Sequence, residues 1–389
     1  MRVAFTVFGG SGWTGGLNYL RNLLSALAEL PDRPVQSILF VSPETPRANI
    51  EQLRPYLSQD PVVVLGWSAD RLNRLRRLAG SFILQRDLVS EKYFRQAAID
   101  VVFQHAAWYG LAFPIPTLAW IADFQHKHLP QMFSTANNLK RDLGYMALSC
   151  SASRILLSSQ DARRDCERFF PKTRGKTSVL PFCVQIPEDD TALSPSDIRS
   201  IYRLPERYFY MPNQLWKHKN HIGILKAVNE LKLADKSVVV VASGNPSDVR
   251  NPEHPAAVIK KISQYGLEDN FQFLGLIPYD HIMPLMRGAL AVINPSFFEG
   301  WSTTVEEAKS LGVPLILSDI NVHHEQAGEV AFYFDPSNHK NIAACLEKAW
   351  AQLDLNTRAE LESNARLGYQ IKRSEFAADF VRILHAVIS

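Results

Sequence analysis

Cysteine is scarce in this sequence. Cys150, Cys166, Cys183 and Cys345 are scattered and none pairs as CxxC, which argues against a zinc ribbon or a disulfide framework and for reduced, buried thiols. Long apolar runs are also missing: none approaches the roughly 18 to 20 residues that a membrane-spanning helix needs. The opening run Val3 to Phe8 stops at Gly9-Gly10, too short for the apolar core of a secretory leader. Charge of one sign is lacking too. A formal net charge of +3 over 389 residues excludes the strongly basic profile of a nucleic-acid binder. Hydrophobic residues make up 46% and charged residues 21%, enough apolar matter to fill two cores in a chain of this length.

Short apolar runs alternate with helical patterns. Strands are expected at Val3–Phe8, Ser37–Val41, Val62–Leu65, Val101–Phe103, Thr117–Ile121, Ile155–Leu157 and Ser178–Leu180. Turn chemistry with weak apolar patterning follows over Pro181–Pro205, and two domains are expected to join near residues 185–205. Six more strands are then expected at Tyr208–Met211, Ser237–Ala242, Phe271–Leu274, Ala289–Ile293, Pro314–Leu317 and Ala331–Phe334. Continuously apolar strands between helices mark parallel sheets covered on both faces. The expectation is an α/β chain of two doubly wound, Rossmann-like domains, at 1–190 and 191–370, with a terminal helix at 371–389. In such sheets ligands bind beyond the carboxyl ends of the strands, so the loops there carry the chemistry.

The first such loop, Gly10-Ser11-Gly12-Trp13-Thr14-Gly15, matches GxGxxG between a strand and a helix. A dinucleotide site also needs an acidic residue at the end of the second strand, where Phe40-Val41-Ser42-Pro43 stands instead. The loop is either a tight turn or a face toward a diphosphate or an acceptor, with Gly15 and Gly16 at the helix start.

The most informative segment runs from Asn294 to Pro314. A buried strand ends at Pro295, a polar loop follows, and a helix opens near Thr303 or Thr304. Glu299 then lies at a strand's carboxyl end and Glu307 about one turn into the helix. The amides of Ser302, Thr303, Thr304 and Val305 between them form an electropositive terminus suited to a diphosphate.

This segment resembles the Glu-x7-Glu signature of glycosyltransferase family four, a retaining group with the GT-B fold. Glu299 and Glu307 match the two glutamates; Gly300, Ala308, Gly312 and Pro314 match the flanking positions. The resemblance implies two domains facing a cleft, donor sugar nucleotide mostly in the second and acceptor mostly in the first. It implies that Glu299 contacts the transferred sugar and Glu307 the ribose, with Trp301 and Ser302-Thr303-Thr304 lining the donor site. Thr303 or Thr304 either contacts the phosphate or caps the helix. Lys219 matches the lysine of an Arg-x4-Lys pair that holds the diphosphate. Gln214 stands where the arginine is expected, so the second cation is absent or supplied by Lys217 or His218. Gly244 and Ile277 match positions near the nucleotide, and Asp123 matches a His-Asp pair whose histidine is here Ala122, with His126 as substitute and His105 as a weaker candidate.

The expected catalytic residues are therefore Glu299, Lys219, Asp123 and His126. The expected activity is metal-independent transfer of a hexose, such as mannose, from a nucleotide diphosphate sugar to a polysaccharide, lipid-linked or other glycan acceptor, with no cofactor. The alternatives are a nucleotide-sugar 2-epimerase on the same fold and a non-catalytic sugar-nucleotide-binding partner. Arg71, Arg74, Arg76, Arg77 and Arg86 accompany Leu72, Leu75, Leu78, Phe82, Ile83 and Leu84 in a basic amphipathic helix. It either packs on its own domain or rests on an anionic membrane. The protein is accordingly expected in the cytoplasm, free or peripherally held on the inner face of the membrane.

Overall fold

The computed structural model describes residues 1–7, 14–58, 62–64, 71–105, 107–185, 193–355 and 358–389, without side-chain detail at 14, 62–64, 71–74, 78 and 358–360. The loop Gly10–Trp13, Leu65 and residues 186–192 of the expected interdomain turn lie outside those residues; further along that turn the chain forms a helix, Pro195–Tyr202, with a Ser194 capping box.

Thirteen strands are described: β1 (Arg2–Thr6), β2 (Gln36–Val41), β3 (Val62–Val64), β4 (Val101–Gln104), β5 (Thr117–Ile121), β6 (Arg154–Leu157), β7 (Thr177–Val179), β8 (Phe209–Met211), β9 (Val240–Ala242), β10 (Phe271–Phe273), β11 (Ala291–Asn294), β12 (Leu315–Ser318) and β13 (Phe332–Phe334). They form one seven-stranded sheet, ordered β3-β2-β1-β4-β5-β6-β7, and one six-stranded sheet, ordered β10-β9-β8-β11-β12-β13. Every pairing described is parallel. In both sheets the order reverses beside the first strand, so the switch point falls between the paired neighbours β1 and β4 in one and β8 and β11 in the other. That is where a doubly wound sheet opens a crevice at its carboxyl edge.

The chain divides into two compact units. The first contains 1–124, 135–185 and 371–389; the second contains 125–134 and 186–370. The short segment 125–134, read from sequence as part of the first domain, thus packs with the second unit. The final helix also begins earlier than its apolar spacing indicated: it runs unbroken over Arg358–Ile388.

Within the first unit, Phe380 of that helix is fully buried against Phe5 of β1 and Phe103 of β4, at ring separations of 6.3 and 5.5 Å. The nearly buried Arg373 binds both carboxylate oxygens of Glu29 and the hydroxyl of Ser25. In the second unit the sheet is packed on both faces. One core gathers Phe209, Leu225, Val240, Ile293 and Leu346; the other gathers Tyr210, Val241, Val292, Val305 and Leu317. Successive residues of one strand, such as Val240 and Val241, thereby serve opposite faces, and this is why the strands read as continuous apolar runs.

The aromatic triad predicts that the terminal helix is integral to the first unit. Phe380→Ala is expected to cost about 3 to 5 kcal/mol of stability, the range for emptying a buried aromatic site. Chemical denaturation that shows no loss would place the ring outside the core.

Candidate active site in the second unit

The site grows from loops at the carboxyl ends of β8, β9, β10 and β11. After β8, a short 3-10 turn at Lys217–Lys219 leads into the helix His221–Leu233. Asn220 joins them in the left-handed region, at φ 56°, and its side chain caps the helix on the amide of Gly223. A β-carbon on Gly223 would meet the Asn220 amide at 2.6 Å, so glycine is required for the cap to seat. After β9, Gly244 lies against the β8 loop: a β-carbon there would come within 2.5 Å of the Asn213 carbonyl. Gly244 also donates its amide to Gly275 of the β10 loop. Gln214 and Gly244 thus meet through backbone packing. Ile277 packs against the second core, beside Leu274.

Lys219 and Glu299 converge. The Lys219 ammonium lies 2.5 Å from Glu299 Oε1, with only 14% and 10% of the two side chains exposed. Taking two charges this far out of water is expensive, and a buried ion pair is weak evidence of a stabilising role. The β8 loop is further tied to this segment by the Phe297 amide, which donates to the His218 carbonyl. The Ser296 hydroxyl lies 2.6 Å from the same Glu299 Oε1.

The helix Thr303–Ser310 follows, and it corrects the expected terminus. Ser302 is the N-cap, not Thr303 or Thr304, and its hydroxyl accepts from the Val305 amide. The Ser302 amide donates to Gln326, whose side-chain nitrogen returns a bond to the Ser302 carbonyl and another to Glu306. The first bond inside the helix runs from the Glu306 amide to the Ser302 carbonyl. Of the four expected donors, two are therefore consumed by side chains; Thr303 and Thr304 keep amides with no acceptor in the helix itself. Gly300 and Trp301 form the approach to the cap. Glu307 is buried and accepts from the Tyr279 hydroxyl at 3.3 Å. Tyr279 is half exposed on the β10 loop, and nothing in the sequence pattern singled it out.

His218 cannot supply the second cation. It is buried, and desolvation, aided by the charges of Lys219 and Arg250, lowers its pKa well below the ordinary value. Arg250 is the cation the sequence reading missed. Its guanidinium lies over the rings of Trp216 and Phe133, at 5.1 and 5.2 Å, and donates to Gln125. In this way the segment 125–134 is pinned to the β8 and β9 loops. His126 is buried in that segment. His128, two residues on, stacks on Phe298 beside Glu299, at 5.0 Å between centroids. Asp123 belongs to the first unit, where it pairs with Arg141 and its carbonyl accepts from Tyr145. His105 Nδ1 donates to the Trp120 carbonyl, and burial lowers the pKa of the ring despite the nearby Asp123 charge. Gly15 and Gly16 lie in the first turn of the helix Thr14–Ala28 in that unit. No group of three or more potential metal ligands is assembled among the described residues.

Two parallel doubly wound sheets, with this constellation on the second, make up the GT-B fold. Solved structures with the same fold include HepE of Anabaena in complex with UDP and glucose, at a TM-score of 0.69 and 17% identity, covering 99% of this chain and 100% of that one. Another is the sucrose-phosphate synthase of Thermosynechococcus elongatus, at 0.70 and 16%, covering 99% and 98%. Residues 197–368, in the second unit, match the family described as glycosyl transferases group 1. A curated relative is the O-antigen chain mannosyltransferase RfbU of Salmonella typhimurium, 25% identical over 171 residues. That match spans 44% of this chain and 44% of the relative, less than half the relative's length.

The buried histidines of this unit make a pH prediction. Burial depresses His221 to about 3 and His323 to about 4. Below the unfolded value near 6.5 the unfolded chain takes up protons that the folded chain refuses. Stability should therefore fall as pH drops from about 6.5 toward 4, by on the order of 3 kcal/mol for His323 alone. Urea titrations at pH 7 and pH 4.5 check this, and His323→Asn should remove that residue's share of the difference while His221 keeps its own.

Proposed function

We propose that this protein is a retaining, metal-independent hexosyltransferase that takes its sugar from a nucleotide diphosphate donor. The observation that carries the reading is the Lys219–Glu299 pair, set beside the two free amides of the Thr303–Ser310 helix and beside Glu307. A departing nucleotide diphosphate gains negative charge at the transition state. A fixed ammonium and two oriented amides lower the barrier by meeting that charge where it develops. Glu299 holds sugar hydroxyls and Glu307 the ribose hydroxyls. With no second carboxylate assigned as nucleophile, attack occurs on the face from which the diphosphate leaves, and the leaving phosphate takes the acceptor's proton. Asp123 and His126 are assigned to the acceptor or the transferred sugar.

Mannose is the favoured sugar and a glycan in polysaccharide assembly the favoured acceptor, on the strength of the mannosyltransferase relative. Purified protein is expected to be stabilised thermally by a sugar nucleotide in a screen of UDP-, GDP- and ADP-sugars, and to release the matching nucleoside diphosphate when an acceptor is added. Lys219→Ala and Glu299→Ala should each lose at least about a hundredfold in kcat while unfolding normally, as removal of one transition-state contact does elsewhere. Full activity in either variant removes that residue from the mechanism. Proton NMR of the product reads whether the anomeric configuration is retained.

A lipid-carried acceptor fits a second observation. The helix Arg71–Ile83 ends in Phe82 and Ile83 and is followed by Leu84, with exposures of 63, 78 and 59%. Leu75, Leu88 and Leu111 are also exposed, and Phe82 packs on Trp108. The side chains of Arg71, Leu72, Arg74 and Leu78 lie outside the described residues. Arg77 and Arg86 are paired with Asp87 and Glu91, which lowers the free positive charge below the five arginines read from sequence. Arg76 remains exposed. No helix among the described residues is long and apolar enough to cross a membrane. We assign this end of the helix to peripheral contact with an anionic bilayer on the cytoplasmic side, apolar tip inserted and arginine at the headgroups. Sedimentation with phosphatidylglycerol vesicles should be at least about tenfold weaker for Ile83→Asp than for the parent, an apolar anchor having become a charge. Equal binding by the two removes the assignment.

A further inference from the structure

Beneath Glu299 lies a chain of buried polar side chains that the proposed reaction does not yet use. Asn294 ends β11 and is fully buried, as is Ser296; Ser302 is 3% exposed. Ser296 Oγ lies 2.6 Å from Glu299 Oε1 and 2.7 Å from the Asn294 amide. The other end of that amide lies 2.6 Å from Ser302 Oγ, which accepts from the Val305 amide at 3.3 Å.

Proton counting orients the chain. A hydroxyl has one proton to give. With the Asn294 oxygen toward Ser296, that hydroxyl faces two acceptors, the amide oxygen and the carboxylate. The Ser302 hydroxyl meanwhile faces two donors, the Asn294 nitrogen and the Val305 amide. Amide oxygen and nitrogen are alike in shape, and the surrounding donors and acceptors decide between them. Exchanging them resolves both conflicts. Ser302 then donates to the Asn294 oxygen, the Asn294 nitrogen donates to Ser296, and Ser296 donates to Glu299. Every bond points the same way, from the helix N-terminus to the carboxylate. Fully satisfied networks of this kind are rigid, and each bond polarises the next.

We propose that Ser302, Asn294 and Ser296 form a one-directional hydrogen-bond relay that positions the Glu299 carboxylate and couples it to the start of the Thr303–Ser310 helix. Ser296 and Lys219 both bind Oε1, and Oε2 has no partner among the described residues. The relay therefore presents Oε2 to the ligand in a fixed orientation, at the same terminus that supplies the Thr303 and Thr304 amides. Asn294 and Ser296 are positioning residues: they act through Glu299. This inference rests on the proposed sugar transfer, with Glu299 as the group being aimed.

The test is a set of variants assayed with the donor that the parent turns over. Ser296→Ala removes the last donor and should lower kcat about 10- to 100-fold with KM within about threefold, the signature of a contact made in the transition state. Asn294→Asp keeps the shape but replaces the donor by a second acceptor, so it should be as impaired as Ser296→Ala at pH 8. As pH falls and the introduced carboxyl takes a proton, it regains a donor, and activity relative to the parent should climb. In the double variant Asn294→Asp/Ser296→Ala that climb should vanish, because no hydroxyl is left to receive the bond. A climb that persists means simple charge repulsion, and it overturns the relay; so does a Ser296→Ala enzyme within about twofold of the parent. If the parent turns over no donor, the proposed function has failed separately. Crystal structures of parent and Ser296→Ala then read the relay directly: a Glu299 carboxylate that turns away from its parental orientation supports it, and one that stays put overturns it.

Discussion

The Lys219–Glu299 ion pair is the constraint around which the second unit is organised. An ammonium and a carboxylate with so little solvent must be held by their surroundings or they would separate toward water. The β8 loop holds one partner through the left-handed Asn220 and the seat that Gly223 leaves for its cap. The β11 loop holds the other through Ser296, and the Phe297 amide stitches the two loops together at the His218 carbonyl. The parallel order β8-β11 places both loops at one crevice, so the topology brings the charges together across eighty residues of sequence.

Charge is kept in check around that pair. His218 and His221 are buried close by and lack the room to ionise, so the loop's positive charge rests on lysine rather than on a titrating imidazole. His323 bonds the Ser318 carbonyl below the site and is likewise held neutral. The site's electrostatics should consequently change little across neutral pH. Arg250 carries a fixed charge near His218, and its stacking on Trp216 and Phe133 with its bond to Gln125 fastens residues 125–134 within the second unit. A segment that follows directly on β5 of the first sheet is thus folded against the other.

The helix start shows how a local rule and a tertiary one divide the labour. Ser302 caps the helix as a serine preceding a polar first turn should. Yet Gln326, from a helix beyond the next strand, takes the Ser302 amide and returns two bonds. The electropositive terminus is consequently narrower than four free amides, and it is aimed by a residue that no local motif includes.

What the sequence by itself determined is everything with a short period or a short range. Thirteen apolar runs became thirteen parallel strands, because strands buried on both faces must be continuously apolar. The Glu-x7-Glu spacing located Glu299 and Glu307 on either side of a helix start, because a short loop and about one helical turn fix that geometry locally. Only the tertiary structure decided that Ser296 turns under Glu299, that Tyr279 meets Glu307, that burial keeps His218 from charging, that Arg250 binds Gln125, and that 125–134 leaves the sheet it follows. Those outcomes depend on burial and on partners far along the chain, and desolvation and hydrogen-bond satisfaction exist only once the sheets have formed.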